Sequence, residues 1–152
     1  MNMKSLLTHI KVGKLLPPQL KNNGAADGNT YFDCAGIGGV LVLGFVGTTD
    51  AALGSTASST PPYLEECDTT NGSYTKITSS DLAAVLSATD DNKFFAWFVD
   101  RTKTRKRYLE VNAPTLANGT TGANLMIIAL GFPAENLPIT ATQMGIKELI
   151  CI

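Results

Sequence analysis

Histidine is almost missing from this chain. Of 152 residues one is a histidine, His9, and it sits among leucines and lysines near the N-terminus. A serine or cysteine nucleophile needs a base beside it, so a triad built on this sequence would have to recruit that one residue. Cysteine is also sparse: Cys34, Cys67 and Cys151 are an odd number without a CxxC spacing. That suits neither a zinc shell nor a disulfide framework, and reduced, intracellular synthesis is the simpler expectation. Charged residues make up 16% of the chain and the net charge is −1, which fits neither a charge-rich disordered protein nor one that coats nucleic acid. No apolar run approaches the ~20 residues of a membrane-crossing helix. The first apolar stretch is broken by Thr8, His9 and Lys11, which spoils it as a signal-peptide core. Acidic motifs are incomplete as well. Asp68 and Asp90-Asp91 lack the D-x-D-x-D-G spacing of a calcium loop, and Gly36-Ile37-Gly38-Gly39 precedes a strand rather than opening a helix, the wrong place for a phosphate cradle. Glu65 and Glu66 are adjacent, and neighbours on a strand point to opposite faces, so they cannot flank one bond. The expectation is a protein that is not an enzyme, with no metal and no cofactor.

What remains is a chain with 44% hydrophobic residues, long enough to bury a core as one domain without staples. Its apolar residues come in short runs punctuated by Gly, Pro, Asn and Asp, the pattern of strands and turns. Residues 40–46 and 123–131 predict strands covered on both faces, because neither alternates with polar residues. A strand at 31–35 follows the Gly/Asn/Asp-rich turn at 22–29. Residues 63–77 predict a hairpin about Asn71-Gly72. Asn71 and Asn118 also open N-G-S/T sequons, read first as Asn-Gly turns. Ser80-Asp81 predicts the cap of one short helix over 82–86, and residues 47–62 and 114–122 predict long polar connections.

The two ends differ from the middle. Residues 1–21 mix short apolar groups with lysine and run into Leu15-Leu16-Pro17-Pro18, and tandem proline forbids helix continuation. They predict either an extended arm that lies against another chain or the first edge strand of the same domain. Residues 134–152 finish on Leu149-Ile150-Cys151-Ile152, an apolar edge that invites pairing with a partner. The expected organisation is an N-terminal arm at 1–21, a core at 22–133 and a C-terminal arm or edge strand at 134–152. The expected fold class is mainly β: an antiparallel β-sandwich or jelly roll with one short helix and extended terminal arms.

Residues 94–111, FFAWFVDRTKTRKRYLEV, concentrate the chain's charge. Two apolar-aromatic runs predict paired antiparallel strands joined by a basic connection that carries Arg101, Lys103, Arg105, Lys106 and Arg107, five of the twelve basic residues. The rest of the chain is net acidic. Three readings stand for the connection: a solvated hairpin tip, a dock for an acidic protein surface, or a contact with single-stranded nucleic acid. Consecutive aromatics on a strand favour core over a stacking platform, so no direct nucleic-acid partner is expected.

The order of these features resembles a known family. Gly39-Val40-Leu41-Val42-Leu43, then Leu64-Glu65-Glu66-Cys67-Asp68 through Asn71-Gly72 to Tyr74-Thr75-Lys76-Ile77, then Lys106-Arg107-Tyr108-Leu109-Glu110-Val111, then Gly119-Thr120-Thr121-Gly122 before a strand ending Leu130-Gly131-Phe132-Pro133, is similar to the capsid decoration, or cement, proteins of tailed bacteriophages. The resemblance covers most of the chain. It implies a structural virion protein with a β-sandwich or jelly-roll core, made in the host cytoplasm. Homotrimers would seat on the outside of an icosahedral head, bind the major capsid protein and stabilise contacts between capsomers. It supplies no catalytic residue. The residues expected to bind partners are Leu6, Leu7, Ile10 and Val12 of the arm, Leu149, Ile150 and Ile152 of the C-terminal strand, and the basic connection from Arg101 to Arg107. Residues 64–77 also resemble galactose-binding-like domains, which leaves a carbohydrate-binding sandwich as the alternative, and a head-tail connector or tail protein fits the same features.

Overall fold

A computed structural model of the chain describes residues 9–26, 28–53, 61–82, 89–112, 114–117, 119–133 and 149–151. These residues are mainly β, in three sheets. The largest, of five strands, contains β1 (Lys11–Lys21), β4 (Gly39–Thr49), β8 (Lys93–Asp100), β11 (Ala123–Phe132) and β12 (Leu149–Cys151), in the order β1-β11-β4-β8-β12. A four-stranded sheet orders β3 (Phe32–Asp33), β9 (Tyr108–Val111), β6 (Leu64–Cys67) and β7 (Thr75–Lys76) as β3-β9-β6-β7. Three short strands, β2 (Gly24–Ala25), β5 (Ala52–Leu53) and β10 (Thr115–Ala117), form the third, ordered β2-β10-β5. Every pairing is antiparallel except that of β12 with β8.

The β-branched and aromatic runs explain the large sheet. Val40 and Val42 of β4 lie opposite Val99 and Trp97 of β8 on one side and Gly131 and Ala129 of β11 on the other. All of these but Gly131 belong to one buried cluster, which also takes Leu15 from β1, Phe32, Leu64, Leu109 and Val111 from the four-stranded sheet and Leu116 from the small one. The core is therefore shared by all three sheets. Gly44 of β4 sits where a Cβ would come within 2.2 Å of the Phe95 ring, so its missing side chain is the space that lets Phe95 lie flat in the core. Trp97 is fully buried; its indole N–H donates to the Ser80 carbonyl at 2.7 Å, and its ring meets Phe95 edge-on at 5.3 Å. Ser80 is also fully buried, its hydroxyl donating to the Ile77 carbonyl and accepting from the Leu64 N–H. The serine read as a helix cap closes the end of β6 through these bonds. Of the expected helix, residues 83–86 lie outside the described residues.

Several sequence expectations change here. The runs at 94–99 and 108–111 form strands, but they do not pair with each other. Both edges of β8 are occupied, by β4 and β12, so β9 has no ladder to join there and pairs with β3 and β6. The basic segment is therefore a crossing between two sheets. β11 alternates buried and half-buried residues, with Met126, Ile128 and Leu130 on the outer face, because only its inner face meets the core cluster. The hairpin at β6 and β7 is present, but its connection spans 68–74, with a turn closed by the Gly72 N–H on the Thr69 carbonyl, rather than a two-residue Asn-Gly turn.

The alternatives for residues 1–21 divide at Lys11. From there to Lys21 the chain is β1, an edge strand paired with β11 from Lys11↔Gly131 to Lys21↔Ala123, with register shifts around Leu16 and the two prolines. Proline cannot donate to a ladder, and it is tolerated because β1 has a neighbour on one side only. Leu15 and Leu16 are fully buried. At the other end, residues 149–151 add to the opposite edge of the same sheet, parallel to β8.

Candidate functional site: a tyrosine and carboxylate face

The four-stranded sheet turns Phe32, Leu64, Leu109 and Val111 to the core. With a side-chain period of two, the intervening residues face outward. The register sets Glu65 opposite Glu110 on one side and Lys76 on the other, and Asp33 opposite Tyr108. Tyr63, Tyr74 and Tyr31 lie two residues before Glu65, Lys76 and Asp33, on the same face. All four tyrosines of the chain thus gather around one pair of carboxylates.

The contacts tie this face together. The rings of Tyr31 and Tyr108 meet edge-on at 5.3 Å, and Tyr31 is 47% exposed. The Lys76 ammonium lies 4.5 Å from the centre of the Tyr63 ring and pairs with Asp81 at 2.6 Å. The Tyr63 hydroxyl donates to the Glu65 carboxylate. Burial raises the pKa of Glu65 despite that bond and Lys76. Glu110 is raised by burial first and by the charge of Glu65 second. Among the described residues no hydrogen bond or ion pair holds Glu110. Burial pushes the Tyr74 phenol up to about 12, with Glu110 the next contributor. Its oxygen is buried and has no hydrogen-bond partner among the described residues. Like charges directly opposite on a sheet destabilise it, and Lys76, set opposite Glu65, answers only part of the charge of this face.

At one end of this face lies the basic connection. Arg107 forms a bidentate pair with Asp33, both contacts at 2.9 Å, and stacks over Tyr108 at 5.1 Å. Lys106 donates from its ammonium to Thr75 at 2.6 Å and from its backbone to Glu66 at 3.2 Å. Arg101 donates to the Lys106 carbonyl. These three groups brace the crossing, whereas Lys103 and Arg105 make no ion pair among the described residues, and the Nε of Arg105 is buried without a partner. The five basic residues thus divide into three that hold the fold and two that do not.

The other expected contact residues lie elsewhere. Val12 is 66% exposed on β1, and Ile10 is half-buried just before it. Leu149 and Ile150 belong to β12 at the far edge of the same sheet, while Leu6, Leu7 and Ile152 lie outside the described residues. The two terminal groups are therefore on opposite edges. Sequence reasoning dismissed Glu65 with Glu66 as a pair, and correctly so, but missed Glu110, whose partnership with Glu65 depends on the register of β6 against β9. Two aromatics are well exposed among the described residues, Tyr31 at 47% and Phe94 at 40%. Phe94 meets the Phe45 ring at a tilt of 47° with centroids 4.9 Å apart, beside a depression of about 240 Å³ lined by Pro18, Phe45, Asn124 and Met126.

Among the described residues no group of three His, Cys, Asp or Glu side chains could hold a metal ion, and no helix is long and apolar enough to cross a membrane. Cys34 is buried, and burial pushes its thiol up to about 11, the opposite of an activated nucleophile. Compared with known proteins, the chain matches no family model, no curated protein and no solved structure.

The carboxylates give a pH dependence of two signs. Asp33 is lowered chiefly by Arg107, Asp50 by the backbone N–H groups of Thr121, Gly122 and Thr120, and Asp100 by Thr102. Their contribution is complete above the ordinary aspartate range and disappears as pH falls through the lower folded values, below about pH 4. Glu65 and Glu110, raised, act in reverse: the stability they contribute is present below the ordinary glutamate range and is lost as pH rises through their folded values. The melting temperature should therefore peak in mild acid, and Glu110→Gln should flatten the fall towards neutrality. A Glu110→Gln profile that keeps the wild-type slope between pH 5 and 7 would contradict this origin.

Proposed function

We propose that this chain is a structural, non-enzymatic virion protein that binds the outside of an icosahedral phage head as a homotrimer. Its three sheets form an antiparallel sandwich of the jelly-roll type. The observation that carries the reading is the edge strand β1, which leaves Val12 and Leu20 exposed at 66% and 56% and is preceded in the sequence by the apolar residues Leu6, Leu7 and Ile10. Large apolar side chains exposed along a sheet edge mark a surface that another chain covers. The order of short motifs shared with decoration proteins supplies the partner, the major capsid protein. In a trimer, one docked subunit presents the others at high effective concentration, so each contact can be weak.

The test uses undecorated heads and two chains, the full chain and one that starts at Lys11. The shorter chain keeps β1 intact and loses only the preceding residues. Co-sedimentation of the full chain with heads, and its loss in the shorter one, is the expected result. Equal binding by both would rule out the arm as the anchor.

The tyrosine face favours a second reading, a carbohydrate-binding module, because sugar rings stack on exposed aromatics beside polar groups. It ranks lower. A neutral sugar does not answer the charge of Glu65 and Glu110.

A further inference from the structure

We propose that the Glu65–Glu110 face is the surface through which copies of this chain associate, and that its occupant is the basic connection of a second copy, led by Lys103 and Arg105. The inference deepens the trimer part of the proposed function and rests on that part alone, not on the shell.

Four observations converge. Glu65 and Glu110 stand directly opposite on antiparallel strands, and burial with mutual repulsion raises the pKa of Glu110. Their intramolecular relief is one-sided, because Lys76 is close enough to act on Glu65 but is committed to Asp81. The tyrosines beside them suit a cationic side chain: the Tyr63 and Tyr108 rings already carry Lys76 and Arg107 of the same copy, and Tyr31, 47% exposed, leaves aromatic surface open to another chain. Tyrosine and arginine are also the residues that most often anchor protein interfaces. Finally, the chain itself carries the complementary group. Lys103 is exposed and Arg105 half-buried, and although both charges act on Asp100, neither residue makes an ion pair among the described residues.

A copy cannot satisfy itself this way, because Lys106 and Arg107 tie the connection to Thr75 and Asp33 at the end of the face. The acid pair of one copy therefore takes the basic connection of the next. Such a contact is heterologous, and it closes a ring, as in a trimer, when its rotation closes. Charge complementarity of this kind sets register and specificity as well as affinity.

The experiment is sedimentation of the full chain with no shell present, so a failure of the shell reading leaves it unaffected. The wild type should associate, and rising salt should weaken the association. Glu65→Lys with Glu110→Lys should weaken it by at least about tenfold, and Lys103→Glu with Arg105→Glu should do the same. An equimolar mixture of the two double variants should form mixed oligomers. Native Trp97 fluorescence identifies variants that remain folded, and the salt series on the wild type decides the matter if a variant does not fold. The proposal is overturned by a monomeric wild type, by association indifferent to salt, by folded variants that assemble as the wild type does, or by folded variants whose mixture stays dissociated. A wild type that is monomeric and binds a neutral oligosaccharide on this face would replace it with the carbohydrate reading.

Discussion

Trp97→Ala is expected to remove about 3–5 kcal/mol of stability, a large fraction of the roughly 5–15 kcal/mol that native proteins possess. Three losses coincide at that position. The largest side chain of the buried cluster, on β8, leaves a cavity in the core. The Ser80 carbonyl, which accepts the indole N–H at 2.7 Å, is left buried without that donor, and an orphaned acceptor has its own cost. Phe95 loses its edge-on neighbour at 5.3 Å, and it has no room to move towards Gly44, where the approach is already close. Urea unfolding followed by circular dichroism measures the effect. Phe94→Ala, one residue away but 40% exposed, should cost less than about 1.5 kcal/mol. Similar costs for the two would mean that the core is not centred on Trp97.

A chain that starts at Leu16 is the second large effect. It should fail to fold cooperatively, or unfold at much lower urea than the chain that starts at Lys11. The cut removes Lys11, Val12, Gly13 and Lys14, which pair with Gly131, Leu130, Ala129 and Ile128, and Leu15, which is fully buried. Loss of one buried leucine alone costs about 2–5 kcal/mol, and β11 would acquire an unpaired edge. A Leu16-start chain with wild-type stability would show that β1 is dispensable.

These two results bear on how much of the protein could be read from its sequence. The β class and the strands at 40–46, 94–99, 108–111 and 123–131 were legible because β-branched and aromatic runs bounded by turn residues leave little else to form. Which strands pair was not. Adjacency in sequence suggested that 94–99 and 108–111 join, yet β8 has both edges filled by segments about 50 residues away in either direction, and no local pattern encodes that. The site shows the same limit. Tyr108, Glu110 and Lys76 are visible as the polar half of an alternating pattern, but only the register of β6 between β9 and β7 brings Glu65 against both Glu110 and Lys76. The charge of the 101–107 segment was plain, whereas its division into bracing and unpaired residues depends on Asp33, Thr75 and Glu66, which come from other strands.

Electron cryomicroscopy of phage heads assembled with this protein tests the central claim most directly. The account predicts β-rich density for this chain on the outer surface of the shell, in trimers over capsomer junctions, with the residues before Lys11 in contact with the capsid protein. Heads that carry no such density, or density confined to the tail or the connector ring, would contradict it.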